Sequence, residues 1–203
     1  MGNGFRDDRA PSVRRAAARL VLASGAQRTG HIVSTGTYPV AVIVLSDRAH
    51  SGERPDLVIP VVRDALLGHP LAIDDERILP DDPAALQAAL IELCEGPTRL
   101  VLTSGGTGLG RRDRTPQATA AVLDYEVPGI AEAMRAASMR HTRGAMLSRA
   151  VAGVRNQSLI VNLPGSPKGV RETLDVIAEA LPHGLDLLAD VETDRHPMGS
   201  HGG

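Results

Sequence analysis

Residues 100–118 read LVLTSGGTGLGRRDRTPQA. The apolar run Leu100 to Leu102 is strand-like and leads into a turn carrying Gly105, Gly106, Gly108 and Gly110, followed by the charged cluster Arg111-Arg112-Asp113-Arg114. Thr115-Pro116 then has the form of a helix start, with Thr115 as N-cap and Pro116 at the first helical position. Strand, glycine loop and helix N-terminus in that order is how α/β proteins grip anionic groups. Glycines let the backbone approach, and unpaired amides together with the helix dipole favour negative charge. The loop is not a P-loop, because no Lys follows any of the glycines, and it misses the dinucleotide fingerprint because Gly110 stands one place early. An Asp behind the glycines belongs to neither pattern. A purely structural turn is the competing reading of the glycines alone.

Outward from this segment the chain alternates between strands and helices. Val40 to Leu45 reads as a buried parallel strand, closed by Ser46-Asp47-Arg48 and a turn at Ser51-Gly52. Asp56 to Leu67 is helix-like, and Leu71 to Leu79 contains a second strand. Pro80-Asp81-Asp82-Pro83 starts a helix that runs to about Glu95, and Arg99 to Thr103 is the third strand. Helices are predicted over 116–124 and 128–140, and a strand over Ser158 to Leu163, ended by Pro164-Gly165-Ser166-Pro167. A last helix is predicted from Gly169 to Leu188, interrupted at Pro182. This order predicts a three-layer α/β/α sandwich with a mostly parallel sheet. Ligands in such sheets bind outside the carboxyl ends of the strands, which is where Ser46 to Arg48, Asp81-Asp82, Ser104 to Asp113 and Pro164 to Lys168 all fall. Residues 39–190 are expected to form the domain. Residues 1–38 read as an N-terminal extension, partly helical or disordered, with Arg14, Arg15, Arg19 and Arg28 among alanines and no acid from Arg9 to Ser46. A transit peptide is the alternative, against which Asp7 and Asp8 argue. Residues 191–203 read as a flexible tail.

Composition narrows the function classes. The formal net charge is −2, which points to neither nucleic acid nor an anionic membrane. With two Tyr, one Phe and no Trp, the core must be aliphatic and base stacking on aromatic platforms is not expected. No apolar run reaches the roughly 18–20 residues of a membrane span. The single Cys94 excludes an internal disulfide and fits a reducing, cytoplasmic compartment. It lies with Leu86, Ala89, Leu90 and Leu93 on one helical face, as a core residue. The histidines show neither zinc spacing nor a Ser–His–Asp arrangement, and His141 reads as a partner for a helix C-terminus.

Taken whole, the string around the glycine loop resembles the molybdopterin-binding family of bacterial MogA and MoaB and the G domains of plant Cnx and gephyrin, whose motif runs roughly T-T/S-G-G-T-G-x-x-x-R-D-x-T-P-E/D-A. Here it stands as Thr103-Ser104-Gly105-Gly106-Thr107-Gly108, Arg112-Asp113 and Thr115-Pro116-Gln117-Ala118, with Gln117 where an acid is usual. Further matches are Ser46-Asp47-Arg48 with Gly52 and Asp56, Pro80-Asp81-Asp82, Met146 to Gly153, and Leu163 to Lys168, where Ser166 replaces the common Asn. The resemblance runs from about Val40 to Ala189 and implies a MogA/MoaB-like fold.

It further implies that Asp81 and Asp113 are the catalytic carboxylates and hold Mg²⁺. Ser104, Gly105, Gly106, Thr107 and Gly108 would meet phosphate, and Ser148, Pro164, Gly165, Ser166 and Lys168 the pterin-phosphate side. Ser46, Asp47, Arg48, Arg112 and Thr115 are additional candidates. Plainer roles compete: a turn or cap carboxylate for Asp47, an N-cap for Asp81 or Asp82, an ion pair with Arg112 or Arg114 for Asp113, a cap for Ser148, and a solvated helix start for Lys168. The implied activity is molybdopterin adenylyltransferase, in molybdenum cofactor biosynthesis. AMP passes from Mg–ATP to the terminal phosphate of molybdopterin and pyrophosphate is released. The resemblance also implies a homo-oligomer, a trimer ahead of a hexamer, and hand-over of product to a molybdate-insertion protein. The alternative is a non-catalytic molybdopterin-binding or carrier protein of MoaB type. Retention of both Asp81 and Asp113 favours the enzyme.

Overall fold

The computed structural model describes residues 36–189; the expectations for the N-terminal arm up to residue 35 and for the tail lie outside them. The elements in chain order are β1 (Tyr38–Leu45), α1 (Asp47–His50), α2 (Val58–Ala65), β2 (Leu71–Leu79), α3 (Pro83–Glu95), β3 (Leu100–Ser104), α4 (Thr115–Ala120), β4 (Tyr125–Glu126), α5 (Pro128–Ser138), a 3₁₀ turn (Arg143–Leu147), β5 (Ala152–Arg155), β6 (Ser158–Leu163), α6 (Pro167–Ile177) and α7 (Leu181–Leu188). One sheet has the order β2-β1-β3-β6-β5-β4. Strands β2, β1, β3 and β6 run parallel, and β5 and β4 add an antiparallel edge.

Both faces of β1, β3 and β6 are covered, which is why they are buried almost throughout and mostly apolar, whereas the edge strand β2 carries Asp74, Asp75, Glu76 and Arg77 and is only partly buried. Side chains alternate between the faces. Val40, Val42, Leu100, Leu102 and Val161 pack with α2, α6 and α7 through residues such as Val62, Leu174 and Leu185. Ala41, Ile43, Val101 and Ile160 meet α3 and α4 through Leu86, Leu90 and Ala118. Cys94 is buried among them as a free thiol. Among the described residues no helix is long and apolar enough to cross a membrane.

The structure departs from expectation at three places. Thr115 is not an N-cap: Arg114 holds that position without a side-chain bond, and Pro116 sits in the first turn behind a buried Thr115. The expected break in the last helix falls before Pro182, because α6 ends at Ile177 and α7 begins at Leu181. Pro182 lies in the opening turn of α7, where its missing N–H breaks no helical bond. The third departure is the edge pair β4–β5. Strand β5 has only four residues and passes through Gly153, where an added Cβ would stand 2.5 Å from the Tyr125 carbonyl oxygen and 2.4 Å from Leu123 Cδ1.

One polar residue ties the core beneath the functional edge of the sheet. Asn162, fully buried on β6, donates to Thr103 Oγ1 and Thr119 Oγ1 at 2.9 Å each and accepts from the Val151 amide at 3.3 Å. It thereby joins β3, α4 and the approach to β5. Asn162→Ala leaves buried groups without partners and is expected to cost about 2–3 kcal/mol in urea denaturation; a loss below about 0.5 kcal/mol would show that this cluster does not hold the elements together.

Candidate functional site

The glycine loop lies flat against its neighbours because no side chain intervenes. Gly105 and Gly106 have φ of 108° and 62°, values that only glycine adopts without strain. A Cβ at Gly105 would stand 2.5 Å from the Leu45 carbonyl oxygen, and one at Gly106 2.5 Å from Thr115 Oγ1. The Thr115 amide donates to the Gly106 carbonyl at 3.2 Å. Thr115, buried beneath Gly106, thus floors the loop. Ser104, buried at the end of β3, donates its hydroxyl to the Pro164 carbonyl at 2.7 Å. That bond ties the glycine loop to the Pro164–Lys168 loop, and Gly165 packs directly on Gly105.

Beyond the glycines, Asp113 folds back under the loop and Oδ2 accepts from the Gly110 amide at 2.8 Å. An ion pair with Arg112 or Arg114 is not what holds Asp113. Arg112 instead pairs with Asp47. Arg149, which motif reading leaves without a role, clamps the loop from the far side. Its Nε donates to the Gly108 carbonyl at 2.7 Å, its guanidinium also donates to the Asp113 carbonyl, and its amide donates to the Thr107 carbonyl at 2.9 Å. The signal was present, since Arg149 follows Ser148 within the matched segment.

Asp81 and Asp82 divide their work. Asp82 is the N-cap of α3 and accepts from the Ala84 amide at 3.0 Å, which leaves Asp81 to face the strand ends. Asp47 and Asp81 hold each other's backbone: Asp47 Oδ1 accepts from the Asp81 amide at 2.9 Å, and Asp81 Oδ2 from the Asp47 amide at 3.4 Å. Ser46 caps the short α1. The Asp81 amide, and after it Arg112, hold the Asp47 carboxyl below the usual carboxylate range.

Two clefts of about 420 Å³ each open on either side of these loops. The first is lined by Ser46, Asp81, Ser104, Gly105, Gly106, Asp113, Gly165 and Ser166 among others. The second takes Thr107, Gly108, Ser148, Pro164, Ser166 and Lys168, with walls from α5 and α6. Ser166 is common to both. Its hydroxyl caps α6 through the Gly169 amide at 3.1 Å. Ser148 accepts weakly from the Ala150 amide at 3.4 Å, and Lys168 is exposed near Glu172. Asp47, Arg48, Arg112 and Thr115 line neither cleft. Arg48 pairs with Glu53 at the surface. His141 follows α5, as expected for a helix C-terminus, and stands 3.7 Å from Glu172. Among the described residues no group of three or more His, Cys, Asp or Glu side chains is placed to hold a metal ion.

Comparison with known proteins bears on this arrangement. Residues 41–183 match the family described as "Probable molybdopterin binding domain". The chain is 44% identical over 148 residues to the molybdopterin adenylyltransferase of Escherichia coli K12, covering 71% of this chain and 75% of that one. It is 41% identical over 156 residues to the molybdopterin adenylyltransferase of Helicobacter pylori J99, covering 75% and 88%. The crystal structure of the molybdopterin biosynthesis enzyme MoaB from Thermus thermophilus superposes with a TM-score of 0.72 at 45% identity, over 75% of this chain and 97% of that one.

The Asp47 brace has a sign that can be tested. A carboxyl held low by partners of the folded state stabilises above the ordinary aspartate range, and that contribution is lost as pH falls through the lowered value. In Arg112→Ala the Asp47 carboxyl is expected to titrate closer to the ordinary range while staying below it, because the Asp81 amide remains. Side-chain carboxyl NMR reads this directly; an unchanged titration would mean that Arg112 does not engage Asp47 in solution.

Proposed function

The chain belongs to the molybdopterin-binding domain family, and from that premise we propose that it is a molybdopterin adenylyltransferase of molybdenum cofactor biosynthesis. The observation that carries this is the pairing of two clefts at one loop system, one holding both Asp81 and Asp113 beside Gly105 and Gly106, the other holding Ser148 and Lys168. The first suits a nucleotide triphosphate and the second the pterin, with Ser166 at the seam where the two phosphates meet. The names of the relatives favour the enzyme over the carrier reading.

In the reaction a terminal phosphate oxygen of molybdopterin attacks the α-phosphorus of ATP. The new P–O bond forms as the bond to pyrophosphate breaks. A phosphate monoester is already largely ionised at neutral pH, so no strong base is needed, and the protein's task is to position two anions and reduce their repulsion. Amides of the Gly105–Gly108 segment supply fixed donors. Ser148, Ser166 and Lys168 hold the second phosphate. Asp81 and Asp113, with hard carboxylate oxygens on one cleft, would hold Mg²⁺. When bound it screens charge between the phosphates. Arg149 and Ser104 act behind these groups by holding the loop.

We further infer that the chain works in the cytoplasm, without nucleic-acid or membrane partners, as a homo-oligomer that passes its product to a molybdate-inserting protein. By family likeness a trimer is favoured over a hexamer. Light scattering at three chain masses supports this, and one or six contradicts it.

The reading is tested with purified protein, molybdopterin, ATP and Mg²⁺, scoring AMP-bearing pterin and pyrophosphate. Asp113→Asn keeps an acceptor for the Gly110 amide and removes the charge. It is expected to bind pterin normally and to lose at least about a hundredfold in transfer rate. A wild-type protein that binds molybdopterin and makes no product would move the chain to the carrier class.

A further inference from the structure

The second cleft contains a carboxylate that the proposed transfer leaves unused. Glu172, on α6, has a side chain only 15% exposed, in a cleft whose apolar lining includes Ala131, Met134 and Leu147. Arg135, His141 and Lys168 also line it, and none of them is hydrogen-bonded to Glu172. His141 Nδ1 and Lys168 Nζ stop at 3.7 and 3.8 Å, outside hydrogen-bond distance, and Arg135 is engaged with the Ala150 carbonyl at 3.0 Å. Among the described residues no hydrogen bond reaches the Glu172 carboxylate. A partly buried carboxylate that has ion-pair neighbours but receives no hydrogen bond, in a mostly apolar slot, is matched to a ligand that brings donors of its own.

We propose that Glu172 is the specificity-determining residue of this cleft. Its two oxygens accept in parallel from the 2-amino group and the N3–H of a pterin, the guanidine-like edge that a carboxylate receives as a fork. The inference rests on the reading of this cleft as the pterin side. Helical geometry supports the placement: Glu172 lies six residues beyond Ser166, about 9 Å along the axis of α6 at 1.5 Å per residue. One end of the slot therefore meets the seam where phosphates gather, and the other presents the carboxylate. Met134 and Leu147 supply polarizable and aliphatic contact for a flat ring in a chain that has almost no aromatic side chains to stack on it.

The test uses two fluorescent probes, pterin and lumazine, which differ by an amino group against a carbonyl at C2. Wild-type protein is expected to bind pterin about tenfold or more tightly than lumazine. In Glu172→Gln the amide offers one donor and one acceptor, so pterin affinity should fall about tenfold and the preference should shift toward lumazine. ATP binding measured on the same samples reports that the fold and the first cleft are intact. An E172Q protein that binds pterin and discriminates like wild type overturns the proposal and leaves the adenylyltransferase reading standing. Wild-type protein that fails to prefer pterin while still adenylylating molybdopterin does the same. Absence of both pterin binding and adenylylation overturns the two together.

Discussion

A side chain at Gly105 would place its first carbon 2.5 Å from the Leu45 carbonyl oxygen, and one at Gly106 would meet the Thr115 hydroxyl at the same distance. At Gly108 and Gly110 the atom nearest an added Cβ is the Asp113 carboxylate, at 2.9 and 2.7 Å, a side-chain end that can turn aside. The loop therefore rests directly on the end of β1, on the start of α4 and on its own returning aspartate. Because the backbone is pressed down at Gly105 and Gly106, its amides stand at fixed positions and Asp113 is presented beside them. A larger residue at Gly105 would meet backbone and lift the loop. The chemistry proposed for the chain depends on that contact, since a site that works by placing anions has little else to offer.

Around this floor the remaining parts act as clamps. Arg149 takes two carbonyls of the loop and offers its amide to a third. Ser104 reaches across to Pro164, so the two loops that separate the clefts move as one. The mutual backbone grip of Asp47 and Asp81 joins the ends of β1 and β2, and Arg112 extends that grip to the glycine loop. The Asp47–Arg112 pair is exposed and contributes little to stability by itself. Its geometric effect is to hold the strand end that carries Asp81 close to the loop that carries Asp113.

Much of this was legible in the sequence, for physical reasons. Parallel strands buried on both faces leave apolar runs such as Val40 to Leu45 and Leu159 to Val161, and prolines stand at the starts of α3, α4, α5, α6 and α7. The antiparallel edge was not legible, because Tyr125–Glu126 and Ala152–Arg155 are too short to show alternation and Gly153 interrupts the second. Thr115 has the composition of a cap and serves as a buried floor, a distinction set by the loop above it. The candidate residues fell correctly at the strand ends, but their sorting into two clefts depends on which way each loop folds. Asp47, Arg48 and Arg112 line neither cleft although motif spacing groups them with residues that do. Glu172 carried no signal at all, being one acid among several on an amphipathic helix.

The division of the site into a nucleotide cleft and a pterin cleft is most directly tested by a crystal structure with Mg²⁺ and an ATP analogue blocked between the α- and β-phosphates. The triphosphate is expected against Gly105 and Gly106 with Asp81 and Asp113 at its metal, and the second cleft left open beyond Ser166. A nucleotide seated between Met134 and Glu172, with the two aspartates away from its phosphates, would contradict that division.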